Sequence, residues 1–228
     1  MRIGVLGTGA LGVALGAAWV RAGHEVVVAG RSDERAAAAA QRIGGRAVAP
    51  RAAVRERDAV LVAVTWTGLR DVLRMAGAHE GALAGTALID PTNAVEHGIG
   101  ELLTGDGRAI AEHLADWAPG ASVVKAFQLF PAEQWLPGGP QVAVAMAGDE
   151  PGALDVVGVL VRDVGGTPVV VGPLRRARQL EEVAGFTIGM VFAGHDPRAA
   201  LPALPAELLA SISGRQPPSE PASRAPRA

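Results

Sequence analysis

Residues 1–32 read MRIGVLGTGALGVALGAAWVRAGHEVVVAGRS and indicate the class of fold. A short apolar run ends in a glycine-rich turn, an Ala- and Leu-rich segment follows, and a second β-branched run comes near the end of the stretch. Such an order indicates a buried strand, a tight turn and a helix that crosses back to a neighbouring strand. The stretch therefore predicts the opening unit of a parallel sheet.

The same alternation continues over most of the chain. We predict strands near 2–6, 25–29, 46–48, 59–64, 86–89 and 122–124, with helices near 10–22, 33–43, 67–77 and 107–117. Residues 59–64 (AVLVAV) are apolar at every position, as expected for a strand that helices cover on both faces. The pattern predicts an α/β fold with a doubly wound (Rossmann) parallel sheet.

The pattern changes after Lys125. A strand at 142–145, a helix at 150–164, a strand at 167–171 and a helix at 174–192 predict a small C-terminal α/β lobe. We therefore expect a Rossmann domain over 1–138 and the small lobe over 139–200. Residues 214–228 are rich in Pro, Ser and Arg and have little to bury, so this tail is expected to be disordered.

Composition excludes several classes of function. The net charge of −2 gives no field that attracts nucleic acid or anionic lipid. The chain has no cysteine, and no cluster of His, Asp and Glu has metal-ligand spacing, so no metal site is predicted. No apolar stretch approaches ~20 residues, so we do not expect a membrane span. We expect a cytoplasmic location.

The glycine turn GTGALG (residues 7–12) fits the GxGxxG pattern between the first strand and the first helix. In this context Gly7 permits the tight turn, Gly9 lets the backbone approach a pyrophosphate, and Gly12 lets the helix lie close to the sheet. The helix N-terminus adds free amides and a positive dipole end. The turn predicts a site for a nicotinamide dinucleotide; the alternative is a turn that serves packing alone.

A basic segment follows the second predicted strand. Sites for NAD usually have an acidic residue there, which binds the adenosine ribose hydroxyls. Here Arg31 and Arg35, with the Ser32 hydroxyl, can bind a 2′-phosphate instead, which favours NADP(H). Asp33 and Glu34 argue against this choice, although acidic residues are ordinary at a helix N-terminus. The alternative is that Arg31 is a solvated surface residue.

Further segments recur in a characteristic order: VTW (64–66), DPTN (90–93), VVKAF (123–127) and GPL (172–174). With the glycine turn and GRS (30–32), they resemble the coenzyme F420-dependent NADP oxidoreductase family over about residues 1–195. The resemblance implies hydride transfer between NADP(H) and the deazaflavin coenzyme F420, across a cleft between two lobes.

Motif and resemblance together assign two sets of residues. The cofactor-binding set is Gly7, Thr8, Gly9, Ala10, Leu11, Gly12, Arg31, Ser32, Arg35, Val64, Thr65, Trp66, Asn93 and Ala126. The deazaflavin pocket set is Gln128, Leu129, Phe130, Pro131 and Leu174. Trp66, Phe127, Phe130 and Trp135 could line a pocket for a planar ligand or form a core, and their place after strand ends favours the pocket for Trp66 and Phe130.

No catalytic residue is assigned outright. Lys125 is a candidate proton donor or cofactor contact, with an ion-pair role as the alternative. The histidines, including His97, are expected to be solvated or structural. Hydride transfer between two rings needs mainly positioning, whereas ketone reduction needs an acid to protonate the developing alkoxide. The absence of tyrosine, the acid of many short-chain reductases, therefore favours transfer between rings.

Two alternative functions remain open. One is an NADPH-dependent reductase of a small imine, ketone or specialised metabolite, indicated by Gln128 and by the pair Trp66 and Trp135. The other is a non-catalytic NADPH-binding module. All three functions have small-molecule ligands, and apolar residues near the last predicted helix predict a homodimer: Phe186, Ile188, Met190 and Val191.

Overall fold

A computed structural model describes residues 1–96 and 98–213. Within this range the strands are β1 (Arg2–Leu6), β2 (Glu25–Ala29), β3 (Arg46–Ala47), β4 (Ala59–Val62), β5 (Ala87–Asp90), β6 (Ser122–Lys125), β7 (Ala143–Gly148) and β8 (Thr167–Gly172). They form one sheet in the order β3-β2-β1-β4-β5-β6-β7-β8. Neighbours are parallel except β6 and β7, which are antiparallel. The order reverses at β1 and β4, where such sheets bind ligands beyond the carboxyl ends of the strands.

The helices are α1 (Ala10–Arg21), α2 (Asp33–Ile43), α3 (Pro50–Val54), α4 (Leu69–Met75), α5 (Ile110–Trp117), α6 (Pro151–Asp163), α7 (Ala177–Phe192) and α8 (Ala206–Ser213). Apolar clusters lie on both faces of the sheet. In β2, Val26 and Val28 belong to one cluster, while Val27 and Ala29 belong to the other. Because successive side chains of a strand point to opposite faces, this split explains why the central strands are apolar throughout.

The C-terminal α/β part extends the same sheet. β7 and β8 continue it beyond β6, and Val157 and Leu160 of α6 share a core with Ile3 and Trp19. The indole nitrogen of Trp19 donates to the carbonyl oxygen of Leu160 at 3.0 Å. The α/β doubly wound fold with a C-terminal α/β addition is confirmed, and the domain boundary near residue 138 stays a prediction.

Most predicted helices and strands are present with bounds that differ by a few residues. The predicted helix 33–43 has those bounds, whereas α3 and α8 were not predicted. The tail 214–228 lies outside the described residues, as does His97. In the described ranges no helix has both the length and the apolar character needed to cross a bilayer. The expected cytoplasmic location stays a prediction.

Candidate functional site

The first feature of the site is the tight turn after β1. The amide of Gly7 donates to the carbonyl oxygen of Ala29 at 2.8 Å, which ties the turn to the end of β2. Gly7 has φ +136°, and a Cβ there would lie 2.1 Å from the carbonyl oxygen of Ala63, just past β4. Only glycine fits this position, because both the backbone conformation and the space exclude a side chain.

Gly9 differs from Gly7 because it faces open space. It precedes α1 with φ −78°, no side chain caps the helix, and the nearest atom to an added Cβ would be 4.0 Å away. The first amides of α1 therefore face a space without side-chain bulk, which is the arrangement that binds a phosphate. Gly12 serves packing, since an added Cβ would lie 3.1 Å from Ala63 Cβ and 3.2 Å from Val5 Cγ1.

A cavity of about 550 Å³, the Arg31 cavity, lies beside this turn. Its lining is Gly7, Thr8, Gly9, Gly30, Arg31, Ser32, Arg35, Ala63, Val64, Thr65, Gly68 and Val72. Within residues 1–96 and 98–213 neither Arg31 nor Arg35 forms an ion pair. The Ser32 hydroxyl caps α2 by accepting from the amide of Arg35 at 3.3 Å, so its proton stays free to donate.

A second cavity, the Trp66 cavity, has about 770 Å³. Its lining is Gly9, Ala10, Leu11, Ala63, Val64, Thr65, Trp66, Thr67, Pro91, Thr92, Asn93, Val95, Glu96, Leu103 and Ile188. Both cavities include Gly9, Val64 and Thr65, so they meet at the N-terminus of α1. Together they provide a continuous surface for a ligand with a phosphate group in its middle.

A short hairpin and α7 together contribute part of the lining of the Trp66 cavity. Val95 bridges Leu102, and the amide of Glu96 donates to the carbonyl oxygen of Glu101 at 2.8 Å. An added Cβ at Gly100 would lie 2.1 Å from the carbonyl oxygen of Gly185 in α7, so hairpin and helix touch backbone to backbone. This contact brings Val95 and Glu96 onto the same cavity as Ile188.

A buried ionic cluster lies behind the wall formed by residues 91–93. Lys125 Nζ donates to Asp90 Oδ2 at 2.9 Å, to Glu181 Oε1 at 2.8 Å and to the carbonyl oxygen of Thr92. All three charged side chains are completely buried. Burial raises the pKa of Glu181, although the Lys125 ammonium opposes this shift, and the Asp90 carboxylate adds to it.

These contacts bear on the two roles considered for Lys125. Its three ammonium protons have partners and no part of its side chain is exposed, so an ion-pair role fits the structure. A role as a proton donor to a ligand has no exposed atom to act through. Within the described ranges no group of three or more His, Asp and Glu could hold a metal ion.

The structure brings together most of the residues predicted to bind the cofactor. Those lining one or both cavities are Gly7, Thr8, Gly9, Ala10, Leu11, Arg31, Ser32, Arg35, Val64, Thr65, Trp66 and Asn93. Gly12 serves packing instead, and Ala126 is completely buried in the core. Glu96, Leu103 and Ile188 also line the Trp66 cavity and were not predicted to do so, because periodicity does not reveal the contact between the hairpin and α7.

The residues predicted for the deazaflavin pocket lie elsewhere. None of Gln128, Leu129, Phe130, Pro131 and Leu174 is among the described residues that line the Arg31 and Trp66 cavities. Leu174 is buried in the core, and its amide donates to Asp149 Oδ1 at 2.8 Å. Gln128 is also buried, and its backbone oxygen accepts from Asn93 Nδ2 at 2.8 Å. For these five residues contact with a ligand stays a prediction.

The aromatic residues divide between core and cavity. Phe127 is buried with its ring edge-on to Trp19 at 6.1 Å and to Trp135 at 5.2 Å between ring centroids. Phe130 is partly buried and packs against Trp135 at 5.9 Å between ring centroids, and its predicted pocket role stays a prediction. Trp66, in contrast, lines the cavity as predicted.

The parallel sheet, the glycine turn before α1 and the cavities beyond the strand ends define a protein of the Rossmann dinucleotide-binding class. Residues 2–94 match the family described as NADP oxidoreductase, coenzyme F420-dependent. This match over residues 2–94 agrees with the resemblance that the motifs carried.

Individual relatives agree with this class. The chain is 31% identical over 186 residues to metalloreductase STEAP3 of Rattus norvegicus, which covers 80% of this chain and 36% of that protein. A proposed F420-dependent NADP-reductase from Arthrobacter sp. FB24 has the same fold, with a TM-score of 0.73, 24% identity and coverage of 86% of this chain and 96% of that chain. A reductive aminase from Aspergillus terreus, solved with NADPH and ethyl-5-oxohexanoate, matches with a TM-score of 0.63, 19% identity and coverage of 85% and 63%.

Proposed function

We propose that this chain binds NADP(H) across the two cavities and transfers hydride between the nicotinamide ring and a small molecule in the Trp66 cavity. The observation that carries this proposal is the placement of twelve sequence-predicted residues on two cavities that meet at an uncapped helix N-terminus. The match of residues 2–94 to a family of NADP oxidoreductases supports it.

Each part of the site has a defined task in this proposal. The first amides of α1, left accessible by Gly9, bind the pyrophosphate. Arg31 and Arg35 have no ion-pair partners in the described ranges and bind the 2′-phosphate through charge-assisted hydrogen bonds. Val64 and Thr65 line both cavities and orient the middle of the ligand.

The bound dinucleotide supplies the redox chemistry, a hydride carried by the nicotinamide ring. The protein contributes a wall of Leu11, Trp66 and Pro91 that excludes water and holds two flat groups in contact. Reacting carbons must lie about 3–3.5 Å apart, so this positioning supplies most of the rate enhancement. A proton that accompanies the hydride can come from solvent when the second ring is a deazaflavin.

For the acceptor we infer the deazaflavin coenzyme F420 as the first candidate, because the resemblance and the matching family both name it. The test is direct. NADPH and oxidised F420 are mixed with the protein, and the visible absorbance of the deazaflavin is followed. Bleaching at a rate proportional to enzyme concentration supports the proposal, whereas an unchanged spectrum with both ligands bound excludes F420 as acceptor.

A second candidate is a small imine or ketone. It is favoured by the charge of the Trp66 cavity, where Glu96 is the single ionisable side chain among the lining residues that the structure describes. An acidic, mostly apolar cavity suits a protonated imine better than an anionic ring system. Oxidation of NADPH by a panel of cyclic imines and ketones in the absence of F420 would support this candidate.

A further inference from the structure

The wall of the Trp66 cavity that follows β5 is held from behind by the ionic cluster. Asp90 Oδ1 accepts hydrogen bonds from the amide of Thr92 at 2.9 Å and from its hydroxyl group. Lys125 Nζ donates to the carbonyl oxygen of the same residue. The backbone of Thr92 is therefore fixed at both its donor and its acceptor, directly behind the surface that Thr92 and Asn93 present to the cavity.

Glu181 connects this wall to two helices. It lies in α7, accepts from Lys125 Nζ through Oε1 at 2.8 Å, and accepts from the amide of Ile110 through Oε2 at 3.0 Å. Glu181 Oε1 also accepts from the amide of Ala111 in α5 at 3.4 Å. Glu181 therefore caps the N-terminus of α5 while it is paired with Lys125.

Another part of the cavity lining depends on the same helix. Ile188 of α7 lines the cavity, and Gly185 of α7 holds the hairpin that carries Glu96. The cluster thus joins the wall at Thr92 to α7, the helix that contributes Ile188 to the same cavity. A buried ion pair adds little net stability compared with apolar packing, whereas the loss of one partner leaves a buried charge uncompensated.

We propose that Glu181 and Lys125 are positioning residues that set the shape of the nicotinamide side of the site by fixing residues 91–93 relative to α7. This inference rests on the proposed function, since it assigns the nicotinamide to the Trp66 cavity. The inference concerns the Trp66 cavity alone. The Arg31 cavity includes no residue of β5, β6 or α7 and keeps its shape without the cluster.

The experiment compares two ligands that differ in the nicotinamide half. Adenosine 2′,5′-bisphosphate occupies the Arg31 cavity alone, while NADPH occupies both cavities. In Glu181→Gln, which retains one acceptor oxygen but loses the charge, the Kd of the bisphosphate stays within about twofold, and the Kd of NADPH rises by about tenfold. The rate of hydride transfer falls by about 10- to 100-fold, since a small misplacement of reacting groups is enough for such a loss.

The matched control is Asp163→Asn. Asp163 is paired with His24 at 2.8 Å, and His24 lies just before β2, at the end of the sheet away from the cavities. This variant loses an ion pair without affecting the lining of the Arg31 or Trp66 cavity, so both Kd values and the transfer rate remain at the wild-type level. If the cluster serves stability alone, Glu181→Gln will have a lower melting temperature and an unchanged ratio of the two Kd values. That result overturns the inference.

Hydrogen exchange on the wild-type protein tests the same coupling if Glu181→Gln does not fold. The amides of Ile110 and Ala111 belong to neither cavity lining, yet both donate to Glu181. They should exchange more slowly with NADPH bound and at an unchanged rate with the bisphosphate bound. Equal effects of the two ligands overturn the inference. Failure of the wild type to bind NADPH at all would instead remove the proposed function.

Discussion

A Cβ at Gly7 would lie 2.1 Å from the carbonyl oxygen of Ala63, so the ends of β1 and β4 touch backbone to backbone. Gly7 lines the Arg31 cavity, and Ala63 lines both the Arg31 and the Trp66 cavity. Gly9, two residues further, has no such neighbour. The first glycine is therefore required by the fold itself, while the second leaves space that only a ligand would use.

This difference predicts that Gly9→Ala folds normally and loses ligand affinity. The φ of −78° suits alanine, so the melting temperature should change little. The methyl group occupies the space beside the α1 amides, and NADPH binding should weaken by about tenfold or more, because a charge-assisted hydrogen bond is worth about 1.5–3 kcal/mol. Calorimetric titration measures the effect. Gly152→Ala in α6, where an added Cβ meets no atom within 4 Å, is the control and should bind normally.

The choice between the two dinucleotides should depend on the arginines of the Arg31 cavity. In Arg31→Ala and Arg35→Ala the Kd of NADPH is expected to rise about 10- to 100-fold, with little change for NADH, because each variant loses a partner of the 2′-phosphate alone. Arg42→Ala, an exposed arginine near the end of α2, is the control. Equal losses for NADPH and NADH would mean that the arginines do not contact the 2′-phosphate.

The sequence predicts the half of the site that local patterns determine. Gly7, Gly9 and Arg31 lie within one strand–helix–strand unit, where turn chemistry and strand ends place them before any long-range contact forms. Glu96 and Ile188 could not be predicted, because their meeting depends on a glycine contact between a hairpin and a helix far apart in the chain. For the same reason Lys125 remained ambiguous, since Asp90 and Glu181 reach it from different elements.

The predicted homodimer can be tested on α7. Val183, Phe186 and Val191 are exposed on this helix by 44%, 50% and 57%. If a second copy covers them, light scattering after gel filtration will give a dimer mass for the wild type and a monomer mass for Phe186→Asp, because a buried unpaired carboxylate is strongly unfavourable in an apolar interface. A monomer mass for the wild type at micromolar concentration would contradict the prediction.

The raised pKa of Glu181 predicts a pH dependence of stability. Burial makes the folded state hold this proton more tightly than the unfolded state, whose pKa is close to 4.5. The contribution of Glu181 to the free energy of unfolding is therefore largest at low pH, and declines as the pH rises from about 4.5 through the folded pKa. Urea unfolding across this window should show the wild type losing stability relative to Glu181→Gln as pH increases. A constant difference would mean that burial does not shift this carboxyl.

The acceptor should respond to the charge of Glu96. This residue is the single ionisable side chain among the described residues that line the Trp66 cavity, so its replacement changes the sign of the local potential. In Glu96→Lys, kcat/KM for a cyclic imine should fall by about tenfold while that for anionic F420 rises, since a change of about 1.4 kcal/mol in ion pairing is a factor of ten. Glu96→Gln should give intermediate values for both acceptors. Its NADPH affinity should equal that of the wild type, which separates an effect on the acceptor from an effect on the cofactor. If both acceptors lose activity equally in Glu96→Lys, the carboxylate supports the hairpin rather than the choice of substrate.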